Sequence, residues 1–153
     1  MHNHQIPDNS SDHWAWRLQM ARLIASLLDA DRFGVTALYV IGSTKNATAG
    51  PNSDIDLLVH FHGTDQQREQ ILMWFEGWSL GLDEANFIRT GRRTGGLLDI
   101  HFITDNDIAM KSSYAVKINS PTDPARPLPL KNITPPEESS GEPPAPDPPD
   151  RTV

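Results

Sequence analysis

The sequence predicts an α/β fold of the α+β kind, a small mixed sheet with helices packed on it, followed by a proline-rich tail. Two observations carry that reading. Stretches with apolar residues spaced three and four apart alternate with short runs rich in Val, Ile, Leu and Phe, separated by Gly, Pro or polar loops. Of the 13 prolines, 11 fall from Pro121 onward, where Pro135 to Asp150 contains no large apolar residue. Such a segment cannot bury enough surface to offset its ordering entropy. The expected organisation is a loose polar stretch over 1–11, one domain over 12–120, and a disordered tail over 121–153.

Each element then has its own signal. From Asp12 to Arg32, the residues Trp14, Leu18, Ala21, Ala25 and Leu28 form a helical stripe, with Arg17, Arg22 and Asp29 off it. Val35 to Ile41 is a β-rich run stopped by Gly42, and a polar loop over 43–53 follows. In the next strand, Asp54 to Phe61, Ile55, Leu57, Val59 and Phe61 share one face, while Asp54, Asp56, Leu58 and His60 share the other. Thr64 and Gln67 have the spacing of a capping box, opening a helix with Ile71, Phe75, Trp78 and Leu82 on one face. Glu84 to Thr90 and Gly96 to Thr104 read as two strands joined by a turn containing Arg92 and Arg93. A short helix from Asp105 to about Ala115 closes the domain. Trp14 and Trp78 are expected in the core, and Trp16 and Trp74 in an exposed aromatic patch.

Bulk properties exclude several function classes. The chain of 153 residues carries a net charge of −7, of which −4 lies up to Ser120. That balance disfavours a general nucleic-acid binder. There is no cysteine, hence no disulfide framework and no thiolate metal site. The longest apolar run, Ala37 to Ile41, is too short to span a membrane, and the N-terminus lacks signal-peptide character. A cytoplasmic location is the default expectation.

The unusual feature is the placing of the acids. Asp54 and Asp56 sit two apart on a strand, so they project from one face about 6.6 Å apart at ~3.3 Å per residue. Asp99 lies in a second apolar strand and faces away from Leu98 and Ile100. Like charges so placed repel, and a divalent cation with hard oxygen ligands relieves that repulsion. A lone D-x-D is more often a solvated strand edge. Here, however, Gly42 and Ser43 leave the preceding strand ten residues earlier, and a glycine there lets the backbone approach a ligand closely. Amide groups and a hydroxyl in such a loop can cradle phosphate oxygens, with Lys45 adding positive charge.

The stretch LYVIGSTKNATAGPNSDIDLLVHF (38–61), with GLLDIHF (96–102), resembles the nucleotidyltransferase fold shared by DNA polymerase beta and the minimal nucleotidyltransferases. A fainter similarity is to a module at the C-terminal end of some phosphoenolpyruvate synthase-like proteins. The first resemblance implies that Gly42 and Ser43 grip a triphosphate, and that Asp54, Asp56 and Asp99 are catalytic and hold two magnesium ions about 3.5–4 Å apart. The implied reaction moves a nucleoside monophosphate from an NTP, ATP first, to an acceptor hydroxyl. Lys45 and Arg89 are the expected further nucleotide contacts. The chain departs from minimal members in lacking arginines after Gly-Ser, and it has no room for a second helical domain, which points to a protein acceptor or a partner domain on another chain. The rival reading is a non-catalytic nucleotide-sensing or partner-docking domain that retains the fold. Neither a membrane nor nucleic acid is expected as a partner. His101 shares the face of Asp99, whereas His60 and His62 read as strand-end residues.

Overall fold

A computed structural model of the chain describes residues 12–131 except Ser113 and Pro121. The expectations for residues 1–11 and for the tail over 132–153 lie outside the described residues. Within them the order is α1 (Asp12–Leu27), α2 (Ala30–Phe33), β1 (Val35–Ile41), a one-turn helix α3 (Gly42–Lys45), β2 (Ile55–Phe61), α4 (Asp65–Thr90), β3 (Leu98–Ile103), α5 (Asp105–Ala109), a 3-10 turn (Ala115–Asn119) and β4 (Arg126–Leu128). The four strands form one mixed sheet in the order β3-β2-β1-β4. β2 is antiparallel to β1 and parallel to β3, the two parallel strands being joined through α4. This is the mixed α/β architecture the sequence predicts.

The alternation in β2 sorts the two sheet faces. Ile55, Leu57, Val59 and Phe61 are buried in one core with Leu18, Ala21, Ile24 and Ala25 of α1 and Ile71, Phe75 and Leu82 of α4. Both long helices therefore cover the same face. Leu58 packs on the opposite face with Ile41, Ala125 and Tyr39. That second face carries the acids and is only partly covered.

The start of α4 follows the sequence expectation: Thr64 Oγ1 accepts from the Gln67 amide at 3.2 Å, and Gln67 Oε1 accepts from the Thr64 amide at 2.8 Å. Its end does not. Glu84 to Thr90 is helix rather than strand, and α4 runs on until Gly91 adopts φ 78 and donates its amide to Phe87 O. The period was masked because Asp83 and Asn86, both polar, occupy the buried face, while Phe87 and Ile88 point outward. With that strand gone the expected hairpin is also absent, and β3 pairs with β2 instead.

Two further differences concern burial. The aromatic patch does not form: Trp14, Trp16, Trp74 and Trp78 are all half-buried and pack against the core. Trp74 meets Phe33, Phe75 and Trp78 at centroid distances of 6.0, 5.3 and 6.0 Å. The segment expected to begin a disordered tail at 121 instead supplies β4, whose register sets Leu128 against Leu38 and Arg126 against Val40. Ala125, Leu128 and Leu130 are buried. The sequence signal failed because these apolar residues alternate with prolines, and Pro is compatible with an edge strand although it donates no ladder hydrogen bond.

Leu128→Ala is accordingly expected to destabilise the domain by ~2–4 kcal/mol in urea unfolding, as for a buried leucine. An unchanged midpoint would mean that 126–128 does not belong to the folded unit.

Candidate functional site

Strand register builds the site. The parallel ladder sets Asp56 beside Asp99 and Leu58 beside His101. Two residues of α4 determine where β3 begins. Ser79 accepts the Leu97 amide on its carbonyl at 3.0 Å and the Leu98 amide on its hydroxyl at 3.0 Å. Asp83 accepts from Thr94 N at 2.7 Å, Thr94 Oγ1 at 2.9 Å and Gly95 N at 3.2 Å. Burial pushes the Asp83 carboxyl up, but the hydrogen bonds from Thr94 and Gly95 outweigh it and hold the group below the usual carboxylate range. Leu97 O then takes the Ile55 amide at 2.7 Å, and the two strands enter the sheet together.

Gly42 sits where β1 ends, with φ 70, and faces Asp56. A Cβ at this position would lie 2.5 Å from Asp56 Oδ2. Glycine is thus needed twice, for the left-handed backbone and for the space the carboxylate occupies. Ser43 follows in the one-turn helix α3, and its carbonyl accepts the Thr48 amide at 2.9 Å. Thr44 Oγ1 is buried and has no hydrogen-bond partner among the described residues.

Asp54 is exposed just before β2, and a buried arginine holds the loop behind it. Arg17 Nε donates to Ser53 O at 2.9 Å, Nη2 to Pro51 O at 3.3 Å and to Asn86 Oδ1 at 3.0 Å, and Nη1 to His13 O at 3.2 Å. Asn86 Nδ2 donates to Pro51 O at 3.0 Å and Arg92 O at 3.1 Å. Burial and the charge of Arg89 lower the Arg17 pKa, while Asp54 opposes them. Sequence reading placed Arg17 off the buried stripe. Its fully buried position lies three residues after Trp14, so the spacing was present, but a charged residue is seldom assigned to a core.

The acids perturb one another. Burial pushes the Asp56 carboxyl up to about 6, reinforced by its hydrogen bond to Asp99 and by the charges of Asp99 and Asp54, with His101 opposing. Burial and Asp99 also raise Asp54, against Arg17. His101 Nε2 lies 3.2 Å from Asp99 Oδ2 and 3.9 Å from Asp56 Oδ1. One ligand atom each from Asp56, Asp99 and His101 fall within 4.8 Å of one another. Oxygen donors of this kind suit a hard divalent cation, and the gap opposite Gly42 leaves Asp56 room to serve one.

Two expected contacts are placed otherwise. Lys45 Nζ lies 2.5 Å from Asp123 Oδ1, and Lys117 Nζ is 3.5 Å from Asp123 Oδ2. Arg89 is on α4, not on a strand, and its guanidinium stands 4.7 Å over the Trp16 ring. Arg93 pairs with Glu84 at 3.0 Å rather than forming a hairpin tip. His60 Nε2 meets Asp105 Oδ1 at 2.6 Å, and His62 Nδ1 meets Thr36 Oγ1 at 2.7 Å, so both are structural partners of neighbouring side chains.

Residues 22–86 match the family model of the nucleotidyltransferase domain. Over that stretch the chain is similar to nucleotidyltransferase domains. The matched stretch spans Gly42, Ser43, Asp54 and Asp56 but stops before Asp99, which is set beside Asp56 by strand pairing. Neither the curated proteins nor the solved structures give a significant match. No described helix is long and apolar enough to cross a membrane.

Arg17→Met leaves the Ser53 carbonyl and Asn86 Oδ1 without their donor, so a loss of ~2–4 kcal/mol is expected in chemical denaturation. Arg17→Lys should recover only part of it, because one ammonium cannot span the same acceptors. Asp56 gives a pH signature. Its folded value of about 6 exceeds the ordinary 3.8, so the folded state binds the extra proton between them. Stability of the metal-free protein therefore falls as pH rises from ~4 to ~6. The full difference corresponds to ~3 kcal/mol, and partial solvent exposure reduces it to ~1 kcal/mol. Asp56→Asn should remove that fall and raise Tm at neutral pH, as read by calorimetric scans from pH 4 to 8.

Proposed function

We propose that the domain is a divalent-metal-dependent nucleotidyltransferase. It moves a nucleoside monophosphate from an NTP, with ATP the leading substrate, to the hydroxyl of an acceptor. The observation that carries this reading is the pairing of Asp56 with Asp99 on the open sheet face, directly against Gly42. Ser43 and the start of the turn after Gly42 would hold phosphate oxygens. The acceptor oxygen bonds to the α-phosphorus, the bond to pyrophosphate breaks, and the hydroxyl proton passes to a carboxylate oxygen of Asp99. A cation held by Asp54, Asp56 and Asp99, magnesium on the carboxylates alone, would neutralise these acids and the charge that develops on the phosphate. Lys45 joins the phosphates only on leaving Asp123, and Arg89 only on leaving Trp16. A protein acceptor, or a partner domain that shapes the acceptor pocket, fits the acidic charge of the chain better than a polynucleotide does. A cytoplasmic setting suits a chain that uses no cysteine.

The ion pair of Lys45 with Asp123 favours a second reading, a non-catalytic nucleotide sensor, because it withholds a cation from the loop. Calorimetry separates the outcomes. Non-hydrolysable ATP, GTP, CTP and UTP analogues are titrated with magnesium or EDTA into the wild type and into Asp54→Ala/Asp56→Ala. The proposal expects magnesium-dependent binding of at least one analogue, lost in the double variant, and release of pyrophosphate when the matching NTP and an acceptor-containing extract are supplied. Binding without pyrophosphate release supports the sensor. Absence of binding to every analogue removes both.

A further inference from the structure

His101 belongs to the acid cluster by position, yet the nucleotidyltransferase reading assigns it no part. It stands two residues after Asp99 on β3 and on the same face, opposite Leu58 in the parallel register. Its Nε2 edge is turned to the acids, 3.2 Å from Asp99 Oδ2 and 3.9 Å from Asp56 Oδ1. Its side chain is only 20% exposed. The ring is held by Tyr114, which stacks on it with centroids 4.2 Å apart and planes inclined by 23°. An imidazole so held presents one nitrogen to a fixed point between two carboxylates.

Distances distinguish a neighbour from a ligand. In an octahedral shell with bonds of ~2.1 Å, adjacent donor atoms lie ~3.0 Å apart and opposite ones ~4.2 Å. The Nε2 separations of 3.2 and 3.9 Å therefore fit one ion after displacements under ~1 Å. All three ligand atoms already fall within 4.8 Å. Donor type then bears on which ion. Magnesium favours oxygen ligands and surrenders water reluctantly, whereas divalent first-row transition ions accept a mixture of imidazole nitrogen and carboxylate oxygen.

We propose that His101 Nε2 is a metal ligand beside Asp56 and Asp99, and that the site takes a divalent first-row transition ion in preference to magnesium. This rests on the reading that the carboxylates hold a divalent cation, and it changes both the ligand set and the metal. Tyr114 is a positioning residue that keeps the ring edge towards the ion.

The test uses the full untagged chain with Mn2+ and inorganic triphosphate, a probe that brings phosphate oxygens but no nitrogen. Pulsed electron paramagnetic resonance reads nitrogen coupled to the bound manganese, and titration calorimetry reads Mn2+ and Mg2+ affinities. The expected result is an imidazole nitrogen coupling in the wild type that is absent in His101→Gln. In that variant Mn2+ affinity should fall at least ~tenfold, with a smaller loss for Mg2+, so the preference narrows. Labelling the wild type with 15N-histidine should convert the coupling to that of 15N, which supports the ligand assignment even if His101→Gln fails to fold. Bound manganese without nitrogen coupling overturns the proposal, leaving His101 as a hydrogen-bond partner of Asp99 and the nucleotidyltransferase reading intact. If neither ion binds the wild type, both readings fall together.

Discussion

The arrangement depends on the parallel pairing of β2 with β3, because that register lays the Asp99 carboxylate beside that of Asp56. Nothing about the acids themselves favours this approach. They repel, and each loses solvation on a partly covered sheet face. The pairing is imposed from the opposite side of the sheet, by the apolar core beneath β2 and by α4. Ser79 takes two amides at the start of β3, and Asp83 takes three donors from the strap that leads into it. Packing on one face thus supplies the free energy that holds like charges together on the other. A site strained in this way gains most from a cation.

The same division of labour governs the loop carrying Gly42 and Asp54. Gly42 gives up a side chain so that Asp56 can stand over the end of β1. Arg17 reaches from α1 to the carbonyls of Pro51 and Ser53, and Asn86 closes the network from α4. A guanidinium with five donors is suited to bridging several carbonyls at once. Its charge also lies near enough to Asp54 to offset part of the repulsion there. Arg17 is therefore both a structural clamp and a component of the site's electrostatics.

The cations that sequence reasoning assigned to phosphate are engaged elsewhere. Lys45 is paired with Asp123, from the segment that leads into β4, and Arg89 lies over Trp16. The segment after Ser120 accordingly does two things: it adds an edge strand to β1, and it holds the charge at the end of α3. In the proposed reading a phosphate would have to displace Asp123 from Lys45, and triphosphate affinity would then depend on the packing of this segment.

Local sequence determined much of the site. Gly42 ends a β-rich run, Asp54 and Asp56 are separated by one residue on an alternating strand, and Thr64 with Gln67 caps the next helix, each a short-range pattern read without knowledge of the partners. Asp99 was legible as an acid facing away from Leu98 and Ile100, and it was the resemblance rather than any local pattern that set it with Asp56. Tertiary structure alone decided the rest. The helical identity of Glu84 to Thr90 rests on Asp83 and Asn86 having partners remote in sequence, so their burial could not be inferred from hydrophobic period. Arg17 in the core, β4 on the edge of β1, and His101 stacked by Tyr114 against the acids have the same cause. Apolar burial leaves a periodic trace along a chain. A polar group becomes buried only when a matching group arrives from elsewhere in the fold, and that match leaves no local trace.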